Sequence, residues 1–138
     1  MSTDVPLPPI MDATRRQKVF SHKGLPNDNT RLALLGAALL VAMATVYKLY
    51  QFPHSATGEV TTERSKLVNK DAVSSYALHY DLPRDLQARE NVDQVRKTTS
   101  AQATLFEAYV AAVFIQSEFD FSLVKNWLFA LWDLKAQQ

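Results

Sequence analysis

Residues 32–47 read LALLGAALLVAMATVY, an apolar run closed by Arg31 on one side and Lys48 on the other. A helix that crosses a bilayer needs about 20 apolar residues, with about 18 as the working lower bound. This run has sixteen, five of them Ala and one Thr, so lengthening it means burying Arg31 or Lys48. Its transfer energy is also modest for its length. A buried core helix is therefore the expected reading, and a single-pass membrane span over residues 32–47 stands as the alternative. The 31 residues before the run carry both charge signs, so it is not read as a cleaved signal peptide.

The surrounding composition supports a helical domain. The chain has 138 residues, enough for one domain, with 15 Lys plus Arg against 14 Asp plus Glu, a net charge of +1. That balance argues against a histone-like basic binder while allowing a local basic patch. Cysteine is absent, which excludes disulfides, cysteine zinc sites and thiol nucleophiles. Three glycines cannot spell a GxxxxGK[ST] or GxGxxG phosphate loop. The expected class is all-α, because no segment alternates with the period of a strand.

Working outward, residues 5–10 read VPLPPI, and three prolines in six residues forbid helix. An extended strap over residues 1–11 is expected, with the domain proper over 12–138. Asp12 is placed to cap a short helix over residues 12–20, with Arg15, Arg16 and Lys18 on a basic face. Residues 24–29 form a loop, the apolar helix covers 30–50, and Pro53 stops it. Further helices are expected over 59–67, 69–80, 100–116 and 121–134. Residues 84–97, rich in charge and poor in apolar groups, read as a solvated connector.

Four pieces in order carry a resemblance. They are VFSHKGL at 19–25, NTRLALLGAAL at 29–39, the segment FP at 52–53 with GEVT at 58–61 and RSKLVN at 64–69, and ATLFEAYVAAVF at 103–114. Together they resemble the nuclease domain of the ribonuclease III family over essentially the whole chain. The resemblance implies an all-α, dimeric fold in which residues 32–47 form a central helix rather than a membrane span. It also implies double-stranded RNA as substrate and divalent metal held by four carboxylates, and the family's separate double-stranded-RNA-binding domain is expected to be missing.

The departures from that pattern are informative. The family's metal positions fall on Ala33, Ala37, Thr104 and Glu107, with Thr30 at a further acidic position. Spacings of i, i+4 and i, i+3 put each pair on one helix face. Mg²⁺ wants several oxygen ligands in near-octahedral geometry, and a methyl supplies none. Glu107 alone keeps a carboxylate, so no catalytic residue is intact, Glu107 is a metal ligand at most, and no cofactor is expected. A structural role for Glu107 is favoured over a relic ligand. His22, His54 and His79 show no short metal spacing, Ser21–His22 lacks a triad context, and Arg64, Lys66 and Lys70 read as a solvated helix face.

These residues lead to an expected catalytically inactive component of RNA processing or of a ribonucleoprotein particle. Degenerate domains in mitochondrial ribosomes are the nearest model. The alternative is a subunit of an active double-stranded-RNA endonuclease heterodimer. The expected partner is a second ribonuclease III-like chain, identical or not, with structured RNA as a candidate ligand and a membrane disfavoured. The expected location is intracellular, with mitochondrion, nucleus and cytoplasm left open. The apolar residues of the central helix run around it, so a partner is expected to cover Leu35, Leu39, Leu40 and Met43. On a helical wheel Phe121, Phe129 and Trp132 lie opposite the stripe of Val124, Leu128 and Leu131. They are expected to meet either a partner or the folded-back strap.

Overall fold

Local sequence sets most helix boundaries in the computed structural model, which describes residues 4–137. Asp12 accepts from the Thr14 N–H (3.2 Å) and starts α1 (Ala13–Val19). At the head of α2 (Thr30–Gln51), Asp28 accepts from both the backbone N–H (3.1 Å) and the hydroxyl (2.7 Å) of Thr30. Those two donors hold the Asp28 carboxyl below its usual range. α2 ends at Gln51, with Phe52 as its C-cap directly before Pro53, as proline chemistry favours.

Asn69 closes α3 (Thr57–Val68) with its backbone and opens α4 (Lys70–His79) with its side chain, which accepts from Ala72 N–H at 2.8 Å. Beyond α4 come the single-turn α5 (Val92–Val95) and two long helices. Thr98 caps α6 (Thr99–Gln116), and Asp120 caps α7 (Phe121–Ala136) through the N–H groups of Ser122 and Leu123.

The stretch between α4 and α6 departs from the expected solvated connector. It forms a 3₁₀ turn (Leu82–Asp85) followed by α5, and Leu82, Pro83 and Leu86 are buried. Leu86 is fully enclosed and its carbonyl accepts from Arg96 Nε at 2.8 Å. Gln87 pairs with Ser21 in the one β-bridge among the described residues. Charge density hides this anchoring, because one large apolar side chain suffices to pin a polar segment.

α6 lies at the centre. From Leu105 to Phe114 all its residues except Glu107 are buried, and it packs against α1, α2, α4 and α7. A helix apolar all round belongs in a core. α2 also contacts α3 and α7, so its inward face is core. α2 is the one helix among the described residues long and apolar enough to cross a membrane, but its packing gives that composition a place in the fold.

Buried aromatic groups find polar partners here. Trp132 Nε1–H donates to the Tyr76 hydroxyl (3.1 Å), which donates onward to the Leu67 carbonyl (2.7 Å). Trp127 Nε1–H donates to Tyr80 (3.1 Å). Satisfied indole and phenol groups of this kind avoid the cost of burying lone donors.

Two wheel-based expectations are corrected. Trp132 is 1 % exposed and Phe129 is half-buried, both with edges against Tyr47 of α2 (5.4 and 5.1 Å between ring centres). α7 therefore buries two sides, one on its own domain's aromatic cluster and one on α2, and only Phe121 of the expected trio remains open, at 56 %. The N-terminal segment lies elsewhere. Tyr80 donates to the Val5 carbonyl (2.9 Å), Tyr109 to Pro8 (2.6 Å) and Gln116 Nε2–H to Pro9 (2.7 Å). Residues 1–3 of the expected strap fall outside the described residues.

Candidate functional site

The site begins with a glycine. A Cβ built on Gly36 would stand 1.7 Å from the backbone carbonyl oxygen of Glu107, so only glycine lets α2 and α6 approach this closely. On α2, positions 33, 36, 37 and 40 share one face, and on α6 so do 104, 107, 108 and 111. The crossing at Gly36 and Glu107 thus gathers the sequence-expected positions: Ala33 (buried), Ala37, Thr104 and Glu107 (all half-buried) line one seam.

The chemistry of that seam is sparse. Two methyl groups, one hydroxyl and one carboxylate make up its donor set. The Glu107 carboxyl has no hydrogen bond or ion pair among the described residues, and burial pushes its pKa up to about 6. A bound Mg²⁺ needs several oxygens and neutralising charge, and a single carboxyl does not provide them. No group of three or more His, Cys, Asp or Glu side chains comes together among the described residues. Residues 33, 37, 104 and 107 therefore do not fit the metal that the family pattern implies.

Elsewhere the structure sorts the other candidates. The backbone N–H of His22 donates to the Gln87 carbonyl (2.9 Å), and the His79 ring packs edge-on to Tyr80. Burial holds the His79 pKa below its usual value, reinforced by Lys135. Arg64 Nη1–H donates to Thr45 Oγ1 (3.2 Å), and Lys66 pairs with Glu63 (2.7 Å). Lys70, at the head of α4, is exposed.

Two features escape the sequence. Asn29 is fully enclosed: its side chain donates to the Val19 carbonyl (3.0 Å) and its N–H to the Ser21 carbonyl (2.8 Å), tying α1 to the head of α2. The polar loop 24–29 gives no sign that one of its residues is core. The second is the outward face of α2. Leu39, Leu40 and Met43, expected in a dimer interface, are 5 %, 1 % and 8 % exposed and belong to the chain's own core, and Leu35 is half-buried. The open apolar face is instead Leu34 (77 %), Val41, Val46 and Leu49, with Ala38 and Ala42 between them. Helical spacing carries this stripe, but the inward apolar residues beside it mask it.

Comparison with known proteins agrees with this geometry. The profile of the Ribonuclease III domain matches residues 30–118, which includes both helices of the seam. Ribonuclease 3 of Chlorobaculum tepidum is 33 % identical over 97 residues, covering 69 % of this chain and 36 % of the relative. The double-strand-specific pac1 ribonuclease of Schizosaccharomyces pombe is 28 % identical over 130 residues, covering 82 % and 36 %. The chain thus spans about a third of the length of these curated relatives.

Among solved structures, Dicer from Pichia stipitis superposes with a TM-score of 0.80 at 28 % identity, over 96 % of this chain and 60 % of that one. The ribonuclease III nuclease domain of Campylobacter jejuni, in which a region is involved in dimer formation, gives 0.79 at 22 % identity over 90 % and 86 %. The profile match takes in both helices of the seam and covers more than half of the chain, and the chain belongs to the ribonuclease III domain family.

Proposed function

We propose that this chain is a ribonuclease III-type domain that has lost metal-dependent strand cleavage and works as a non-catalytic component of RNA processing or of a ribonucleoprotein particle. The donor set of the α2–α6 seam carries this reading: Ala33, Ala37, Thr104 and Glu107 offer a single carboxylate where phosphodiester hydrolysis needs metal to activate water and to stabilise charge. Structured RNA is the ligand class, by analogy with the double-strand-specific relative. Large ribonucleoprotein particles such as the mitochondrial ribosome are the class of assembly in which such a domain serves. The decisive experiment incubates the purified chain with double-stranded RNA in Mg²⁺ and in Mn²⁺. No cleavage is expected, and sustained cutting that Glu107→Gln abolishes would overturn the reading.

The outward face of α2 favours a partner of the same family, either a second copy or a paralogue. A row of open aliphatic side chains running from Leu34 to Leu49 is larger than scattered surface residues account for. If that paralogue retains the four acids, the pair would be a heterodimeric endonuclease with one competent centre. Purification from the native source discriminates the two cases, because co-isolation of an acid-retaining chain supports the second and its absence the first.

A further inference from the structure

Three helices end around one concavity on the side of the molecule where α2, α3 and α7 finish. The cavity, of about 310 Å³, is lined by Lys48, Lys66 and Lys135 together with Gln51, Ser75 and the buried Tyr76 and Trp132. No acidic residue lines it among the described residues. Lys66 already has a counter-ion in Glu63, and Lys48 uses one ammonium proton on Gln51 Oε1 (2.9 Å) while lying over the rings of Tyr47 (5.7 Å) and Phe52 (5.4 Å). Neither Lys48 nor Lys135 forms an ion pair among the described residues. The nearby Asp133 carboxylate is engaged by the Tyr47 hydroxyl.

We propose that this cavity binds a phosphomonoester, the terminal phosphate of a nucleotide or of an RNA chain. The two ammonium groups without an ion pair, Lys48 and Lys135, match the charge of a dianion, and Lys66, beside its Glu63 partner, adds further N–H donors. The Gln51 carboxamide keeps its NH₂ donors, since Lys48 occupies only its oxygen. A phosphodiester would have to continue past the site at both ends. Tyr76 and Trp132 line the cavity and are both buried, so the lining closes against the domain core and suits an end group instead.

The competing explanation is that each lysine merely offsets the dipole of its own helix, since all three stand in a last turn. That accounts for each position singly and does not require the three to line one cavity. The site lies about 18 Å along α2 from Gly36, at 1.5 Å per residue, so it is independent of the loss of cleavage at the seam.

The test titrates the ¹⁵N-labelled chain with a short ribonucleotide oligomer bearing a 5′-phosphate, the same oligomer with a 5′-hydroxyl, and AMP. Amide shifts centred on Gln51, Ser75 and Lys135 are expected with the phosphorylated oligomer. Binding should be about tenfold tighter than for the 5′-hydroxyl form, with about a tenfold loss in Lys48→Gln and in Lys135→Gln. Lys135→Arg should retain it. AMP binding as well as the phosphorylated oligomer assigns the site to a free nucleotide, and weaker AMP binding assigns it to an RNA end. Equal affinity for the two oligomers, shifts elsewhere on the molecule, or glutamine variants that lose only thermal stability would overturn the proposal.

Discussion

Leu34 and Gly36 stand two residues apart on α2 and face opposite demands. Gly36 meets the backbone of α6 so closely that not even a methyl group fits, whereas Leu34 is 77 % exposed. The same alternation continues along the helix, with Leu40 enclosed at 1 % and Val41 open at 39 %. Hydrophobicity therefore has two meanings on this one helix. Inward, it records contacts already made within the chain. Outward, it marks surface that the chain's own fold leaves open. An apolar residue's role is set by its azimuth, and the unbroken apolar run conceals that distinction.

The strongest test of the inward face is Gly36→Ala. The added Cβ collides with backbone rather than with a flexible side chain, so α2 and α6 must move apart along a shared core. A loss of roughly 3 kcal/mol or more is expected, read as a large fall in melting temperature or failure to fold. An unchanged melting temperature would mean that the helices are not in contact there.

Leu40→Asp and Val41→Asp then set the two faces against each other. A charge at position 40 enters the closed core and should cost about 4 kcal/mol or abolish folding. The same charge at 41 meets solvent, so the monomer's stability should stay within about 1 kcal/mol of wild type. Sedimentation equilibrium should nevertheless show Val41→Asp losing self-association, or losing capture of its partner. A Val41→Asp protein that keeps its full assembly would move the interface off this face.

The smallest effect is at Glu107, where the seam retains a carboxylate. Burial lifts its pKa from 4.5 to about 6, so between those values the folded chain holds a proton that the unfolded chain releases. Stability should fall as pH rises through that window, and Glu107→Gln should flatten the slope. Above pH about 6 the glutamine variant should be the more stable by roughly 1 kcal/mol, allowing for the carboxyl's partial access to solvent. Denaturant melts of both proteins at several pH values measure this. A steep slope retained in the variant would place the responsible group elsewhere.

Much of this architecture is legible in the amino-acid sequence. Asp12 and Pro53 mark helix ends through capping and proline chemistry, and those rules are local. The candidate seam is legible as well, because helical spacing places 33 with 37 and 104 with 107, and the family pattern supplies the pairing between helices. Sequence does not show which helix covers which face. Trp132 reads as outward on a helical wheel because a wheel has no neighbours, yet Tyr47, far earlier in the chain, closes over it. Asn29 is hidden for the same reason: its enclosure depends on Val19 and Ser21, which lie outside its own helix. Local chemistry writes element boundaries, while burial is decided by contacts distant in the chain.

The proline segment has a consequence for how its motion can be observed. Proline has no amide hydrogen, so Pro6, Pro8 and Pro9 contribute nothing to a deuterium-exchange map. The segment is held by side chains donating into its carbonyls, and among the described residues no backbone–backbone hydrogen bond joins residues 5–11 to the rest. Its detachment would thus break no ladder and protect or expose few exchangeable protons of its own. The reporters are the hydroxyl and ring signals of Tyr80 and Tyr109 on the body of the domain, and a single amide of the segment, that of Met11, which donates to Gln116 Oε1. An experiment tuned to backbone exchange would record this end of the molecule as almost silent whether it is docked or free.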